Sequence, residues 1–288
     1  MTIKIVTDSS CDLGIDFVKK NNIEFVPLLL NLDGENIEDD LGKSLGYREF
    51  YDKLREGSMP STSQINIYTF EEKFRELLNE GYEILYVGLS SALSGTFNSA
   101  NMARNNILEE NPNAKISVVD SLSVSMGVGM LVKKSCDMIE EGKDLEYITT
   151  WIEENKNKVI HSILVDDLKH LKRGGRISAS TAVVGSLLNI KPILKIDNNG
   201  AVEATEKIKG KKKALKYLAT VVKEKAVNIE SETLYIMHGD ALEEAQALKD
   251  IILQELNFKE IKIQYIGTVI GSHGGPGTIA TIFWGNER

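Results

Sequence analysis

The sequence predicts an α/β fold in two domains, the first a doubly wound parallel sheet and the second an α+β unit with a mixed sheet. Two observations carry this. Short apolar runs alternate with stretches of helical periodicity through roughly the first half, the signature of βαβ units winding a parallel sheet. Near residue 158 both the pattern and the local charge change, which sets domains of 1–158 and 159–288, with the 60–80 segment placed so that it can pack against the second. A length of 288 residues, 42% hydrophobic and 26% charged, is ordinary globular usage and comfortable as two cores.

Ile3 to Thr7 alternates as a strand and runs into Asp8-Ser9-Ser10, residues that cap helices. A short helix is expected from Asp12 to Lys20. Ile23 to Leu32 reads as one apolar strand, interrupted by Pro27 and therefore bent or at an edge. Helical periodicity returns at Tyr47–Glu56 and Tyr68–Asn79, with Ser61-Thr62-Ser63-Gln64 as a loop between them. Glu83 to Leu89 is a buried strand, Gly95 to Leu108 a helix, Lys115 to Val119 a strand, and Val124–Glu141 and Leu145–Lys156 are helices.

The second half opens with the strand His161–Val165 and the turn-rich Leu171-Lys172-Arg173-Gly174-Gly175-Arg176. Thr181–Leu188 and Ile190–Ile196 follow, then Asp197-Asn198-Asn199-Gly200 as a hairpin turn. Lys211–Val227 is a basic helix, Thr233–His238 a strand and Leu242–Leu256 a helix, and Ile261–Ile266 and Thr278–Trp284 are the last strands.

Composition excludes several classes. No apolar run approaches the ~20 residues of a membrane helix, and the opening Met-Thr-Ile-Lys-Ile-Val-Thr-Asp turns polar too early for a signal peptide. Two cysteines, Cys11 and Cys136, make no disulfide framework. A cytoplasmic, bacterial-type protein is expected, with no stable membrane insertion. The net charge of −8 argues against nucleic-acid binding. The charge is uneven, however: His161 to Lys216 carries +7 and the remainder −15. A basic third on an acidic protein is either a docking face for an acidic partner or a solvated surface.

Three loops carry the chemistry: Ser61-Thr62-Ser63-Gln64, Ser90-Ser91-Ala92-Leu93-Ser94-Gly95-Thr96 and His273-Gly274-Gly275-Pro276-Gly277. Ser94-Gly95-Thr96 sits between a strand and a helix, so its hydroxyls and N–H groups face the positive end of the helix dipole and suit a carboxylate or phosphate. Ser94 is equally readable as a helix N-cap, and so are the hydroxyls of the first loop. The third loop is tightly specified by Gly and Pro, and its histidine can donate to an anion.

Other reaction classes find no purchase. Gly88-Leu89-Ser90-Ser91-Ala92 lacks the last glycine of a nucleophile elbow. There is no Walker-type phosphate loop and no strand-linked dinucleotide fingerprint. The histidines at 161, 170, 238 and 273 do not pair at metal-ligand spacing, so no metal and no cofactor are expected.

Taken in order, these motifs resemble the DegV family of fatty-acid-binding proteins, which includes the FakB subunits of bacterial fatty acid kinase. The resemblance covers essentially the whole chain. It runs through Val6-Thr7-Asp8-Ser9-Ser10, the first two loops, Asp120-Ser121-Leu122-Ser123-Val124-Ser125-Met126-Gly127 and Leu171 to Ile177, then Leu188-Asn189-Ile190-Lys191-Pro192 and His273-x-Gly275-Pro276-Gly277. Gly274 departs from the family, which often has a larger polar residue there.

The resemblance implies an acyl chain, such as that of palmitate, buried between the two domains. Thr62 and Ser94 would contact its carboxylate, with His273 close by. Arg176 would be a further polar contact or a strut, and Gly95, Thr96 and Gly275 would support the site. It also implies a non-catalytic protein that presents the lipid to a separate kinase; the basic segment supplies Lys172 and Arg173 as the expected docking residues. Two rivals stand beside it: a Ser/His-dependent acyl hydrolase using Ser94 and His273, and a lipid-sensing regulator without a kinase.

Overall fold

The computed structural model describes residues 2–177 and 189–288; the expected element Thr181–Leu188 lies outside them. In chain order the elements are β1 (Ile3–Asp8), α1 (Ile15–Lys20), β2 (Glu24–Val26), β3 (Leu29–Leu32), β4 (Glu35–Glu38), α2 (Tyr47–Glu56), β5 (Ser61–Ser63) and α3 (Ile67–Asn79). They continue with β6 (Glu83–Gly88), α4 (Thr96–Glu110), β7 (Ile116–Asp120), α5 (Met126–Glu140), α6 (Leu145–Asn155), β8 (Val159–Leu164) and α7 (Lys169–Arg173). After these come β9 (Ile190–Ile196), β10 (Val202–Lys209), α8 (Lys211–Lys225), β11 (Thr233–His238), α9 (Leu242–Leu253), β12 (Glu260–Tyr265), α10 (Thr268–Gly274) and β13 (Ile279–Trp284).

The chain is an α/β protein. Its first half forms a four-stranded sheet of order β2-β1-β6-β7, parallel throughout. The second forms a six-stranded mixed sheet of order β10-β9-β8-β13-β11-β12. Strand β6 (Glu-Ile-Leu-Tyr-Val-Gly) is buried along its whole length, as a central parallel strand covered on both faces must be. Helix α5 joins the halves by packing on β1 and β6 and also on β8 and β13. One apolar cluster accordingly mixes Leu85, Val87 and Leu131 with Tyr235, Met237 and Ile282.

Two corrections to the sequence reading fall near the start of the chain. The expected strand Ile23–Leu32 is two strands in two sheets. Pro27, without an N–H, cannot continue a ladder, so β2 stays with the parallel sheet and β3 joins a small antiparallel sheet of order β4-β3-β5. The expected helix from Asp12 begins only at Ile15, because Ser9–Cys11 form a 3-10 turn that ends with Asp12 in a left-handed conformation, φ 51°. The segment 60–80 packs mainly on the first half, where α3 lies on α4 and β6; its start, at Thr62, reaches α10.

Asp12 pins the two helices that frame the space between the sheets. One carboxylate oxygen accepts from Gly267 N at the start of α10, 3.0 Å away, and the other accepts from the Ser125 hydroxyl at the start of α5. Burial pushes its pKa up to about 8, and Asp39 and Asp8 add to the rise, while the bonds from Ser125 and Gly267 oppose it. The folded protein thus keeps a proton that the unfolded chain gives up above the ordinary aspartate value of 3.8. The linked stability is full below that value and is lost as pH rises through about 8. The urea midpoint should therefore fall as pH rises to about 8, and Asp12→Asn should flatten the upper part of that fall. Parallel curves for the two proteins would contradict this assignment.

Candidate functional site

A cavity lies between the face of the six-stranded sheet and the loops of the first half. It contains about 910 Å³ of space free of protein atoms, the open solvent at its mouth included. Leu28, Leu89 and Val124 form one wall, and Ile163, Leu194 and Ile282 the other. Along the sheet it extends from His161 on β8 to Val165 just past the strand's end, four residues or about 13 Å of extended chain.

Its polar groups form a connected set. Thr62 stands in the middle of β5, whose outer partners Ser61 and Ser63 are exposed while Thr62 is half-buried, and pairing with Leu30 of β3 fixes its direction. Its hydroxyl lies 2.9 Å from His273 Nε2. His273 occupies the last turn of α10, so the Gly-rich stretch expected to be a loop is helical through Gly274. The other imidazole nitrogen, Nδ1, is buried without a hydrogen-bond partner among the described residues. It faces Gly174, where an added Cβ would come within 2.2 Å of it. Only a residue without a side chain leaves the ring that room.

Arg176 ties this end together. Its Nε donates to Leu93 O at 3.0 Å and its Nη1 to Gly174 O, so the guanidinium braces the Ser94 loop against the turn behind His273. Ser94 lies on the cavity wall. Its hydroxyl is 2.9 Å from Thr96 Oγ1 and accepts from Thr96 N at 3.3 Å. The N-cap position of α4 is Gly95, with no side-chain cap bond, and α3 is capped by Asn66, which accepts from Thr69 N at 2.9 Å. Neither hydroxyl loop is therefore used up as a conventional cap.

Of the residues singled out from sequence, Thr62, Ser94, Arg176, His273 and Gly274 line the cavity. Gly95, Thr96 and Gly275 stand behind its wall: Gly95 lies under the Gln64 side chain, Thr96 is fully buried, and Gly275 packs against the His170 ring. Lys172 and Arg173 are exposed on α7, and Arg173 reaches the Pro60 carbonyl at 3.5 Å. The sequence reading missed Gly174 as a support for His273, although it lay inside a flagged turn. It also missed His161, which lines the far end of the cavity and whose pKa burial pushes down to about 3.

Electrostatically the polar end is neutral with cationic support. Burial lowers the pKa of His273 to about 4, helped by Arg176, Arg173 and His170, so its ring is uncharged at neutral pH. Among the described residues no group of three or more His, Cys, Asp or Glu is placed to hold a metal ion, and no helix is long and apolar enough to cross a membrane. A long apolar cavity with hydroxyl donors at one end fits an amphiphile with a single polar group.

Comparison with known proteins agrees with this geometry. The family model described as "Uncharacterised protein, DegV family" matches residues 2–285. A DegV domain-containing protein of Clostridium perfringens is 45% identical over 284 residues, 99% of this chain and 98% of that protein. The solved structure of a DegV family protein from Thermus thermophilus, described by its fatty acid binding, superposes with a TM-score of 0.89 at 33% identity, covering 99% of this chain and 100% of that one. A DegV family protein from Eubacterium eligens, loaded with heptadecanoic acid, gives a TM-score of 0.84 at 28% identity, with 99% and 100% coverage. The chain belongs to the DegV family.

Two measurements check the polar end. The His273 ring should titrate by NMR with a midpoint near 4; a midpoint near the ordinary value of 6.5 would mean that it is solvated. Gly174→Ala should displace the ring and raise that midpoint as water enters, whereas an unchanged titration would show that the contact is slack.

Proposed function

We propose that this protein binds one long-chain fatty acid, such as palmitate, in the cavity, with the carboxylate at Thr62, Ser94 and His273. The observation that carries the reading is a mainly apolar cavity in which the hydroxyls of Thr62 and Ser94 gather with His273 at one end. With the imidazole neutral, a proton on Nε2 donates to Thr62 Oγ1 and leaves the threonine O–H free for the carboxylate. That tautomer strands only a lone pair at Nδ1, rather than an N–H. Burying ~14 methylenes at about 0.8 kcal/mol each gives a gross drive near 11 kcal/mol before ordering costs. Affinity thus comes mainly from the tail, and the hydroxyls set the orientation.

The finer part of the proposal is presentation to a separate kinase for acyl-phosphate formation. An anchor of hydroxyls and a neutral imidazole leaves the carboxylate oxygen more nucleophilic than a bidentate arginine clamp would. Two Arg176 nitrogens are already occupied by backbone carbonyls, which favours a strut over a clamp. Lys172 and Arg173, exposed beside this end, are the proposed contacts for an acidic kinase surface. The hydrolase alternative is disfavoured by His273 itself: its Nδ1 faces Gly174 instead of an orienting carboxylate, which a general base of the triad type requires.

Lipid extraction of purified protein should yield close to one equivalent of fatty acid, and finding neither bound lipid nor uptake on incubation would refute the proposal. Thr62→Ala and Ser94→Ala should each weaken binding by about 1–2 kcal/mol, the loss of a hydrogen bond to a charged group; binding like the parent by both would place the anchor elsewhere. Reversing Lys172 and Arg173 to Glu should slow kinase-dependent turnover and leave lipid affinity unchanged. Equal turnover at low salt would move the docking face.

A further inference from the structure

Along β8 and its continuation the cavity wall runs Val165, Ile163, His161: two aliphatic side chains and then an imidazole. The ring is buried, with 2% of the residue exposed, and it does not rest on the sheet alone. Its Nε2 lies 3.2 Å from Val124 O, just ahead of α5. The ring also fills a notch at Gly127, where an added Cβ would stand 2.2 Å from Nε2. The imidazole thus spans the slot between β8 and the start of α5.

Beyond the ring that slot is packed. Val159, the next residue on the same face of β8, pairs with Trp284 of β13. Neither borders the cavity, whose lining includes His161 and its partner Ile282. Val159 is fully buried and shares one apolar cluster with Leu131 of α5 and Trp284. The imidazole therefore stands between this packed cluster and the cavity, at the end away from Thr62 and His273. Burial, helped by the charge of Arg288, pushes its pKa down to about 3, so the ring that faces the cavity is neutral at neutral pH. Arg288 is itself held in that corner, with Nε donating to Val159 O at 3.1 Å and Nη2 to Ser123 Oγ at 2.8 Å.

We propose that His161 is the stop for the methyl end of the acyl chain and so sets the longest chain the protein accepts, with Gly127 fixing how far the ring reaches into the cavity. The inference rests on the fatty-acid reading above, with the carboxylate at Thr62, Ser94 and His273. Each methylene that enters an apolar cavity raises affinity about fourfold. That gain ends where the chain meets a close-packed wall with no void behind it. Affinity as a function of chain length then has a break, and the imidazole sets its position while the head-group contacts set the height of the curve.

The test is titration calorimetry of the delipidated full chain with saturated fatty acids of stepwise length from decanoate to arachidate. The parent's affinity should climb about fourfold per methylene to a break and then flatten or fall. His161→Ala should move the break to chains about two carbons longer, which take up the room the ring vacates. His161→Leu, of similar bulk, should restore the parent's break, and Gly127→Ala, which drives the ring into the cavity, should move it to shorter chains. Thr62→Ala should lower the whole curve and leave the break in place. Gly127→Ala carries the test should His161→Ala fail to fold. A break that stays put in the folded variants, even with affinity lowered at every length, would overturn the stop. Failure of the parent to take up any chain would instead overturn the fatty-acid reading beneath it.

Discussion

Thr62 and His273 lie 211 residues apart in the chain, and the 2.9 Å contact between them fixes the polar end of the cavity. Everything around the site serves that contact. Strand β5 needs β3 beside it to aim Thr62. Helix α10 needs Asp12 at its first turn to aim His273 from its last. Gly174 yields the space the ring occupies, and Arg176 keeps the Gly174 turn against the Ser94 loop. A carboxylate leaves water only where donors replace it. On the proposed reading the cavity would accept one because these four segments meet at a single point.

The charge balance around that point is consistent. The carboxylates buried nearest the helix starts, Asp8, Asp12 and Asp39, all have raised pKa values, chiefly through burial. Burial thus favours their protonated forms, and Asp12 keeps its proton up to about 8. His273 is held neutral and Arg176 is spent on backbone carbonyls. On the proposed reading a bound carboxylate would meet neutral donors with positive charge set just behind them, an arrangement that orients the head group without locking it in an ion pair.

Much of this was legible in the sequence where local pattern and tertiary structure agree. The strands β1, β6, β8 and β11 are apolar, bounded by turn residues and largely buried, so periodicity finds them. The hydroxyl loops were visible because Ser and Thr cluster beside Gly. What escaped was set by distant partners. Strands β4 (Glu-Asn-Ile-Glu) and β10 (Val-Glu-Ala-Thr-Glu-Lys-Ile-Lys) are solvent-facing edges with little apolar signal. Helix α10 (Thr-Val-Ile-Gly-Ser-His-Gly) is short and carries two glycines, a poor helix by propensity; Asp12 and its packing make it one. Pro27 signalled a break but not that the chain would change sheets there. Gly174 is recognisable as a support for His273 only once the ring is placed.

The central claim is that a fatty-acid carboxylate is held by Thr62, Ser94 and a neutral His273 at the polar end of this cavity. The most direct measurement is the NMR signal of palmitate isotopically labelled at its carboxyl carbon and bound to the protein. The account predicts one sharp bound resonance, distinct from free lipid, that moves separately in Thr62→Ala and in Ser94→Ala. A bound signal that matches free or micellar palmitate, or that neither substitution shifts, would contradict it.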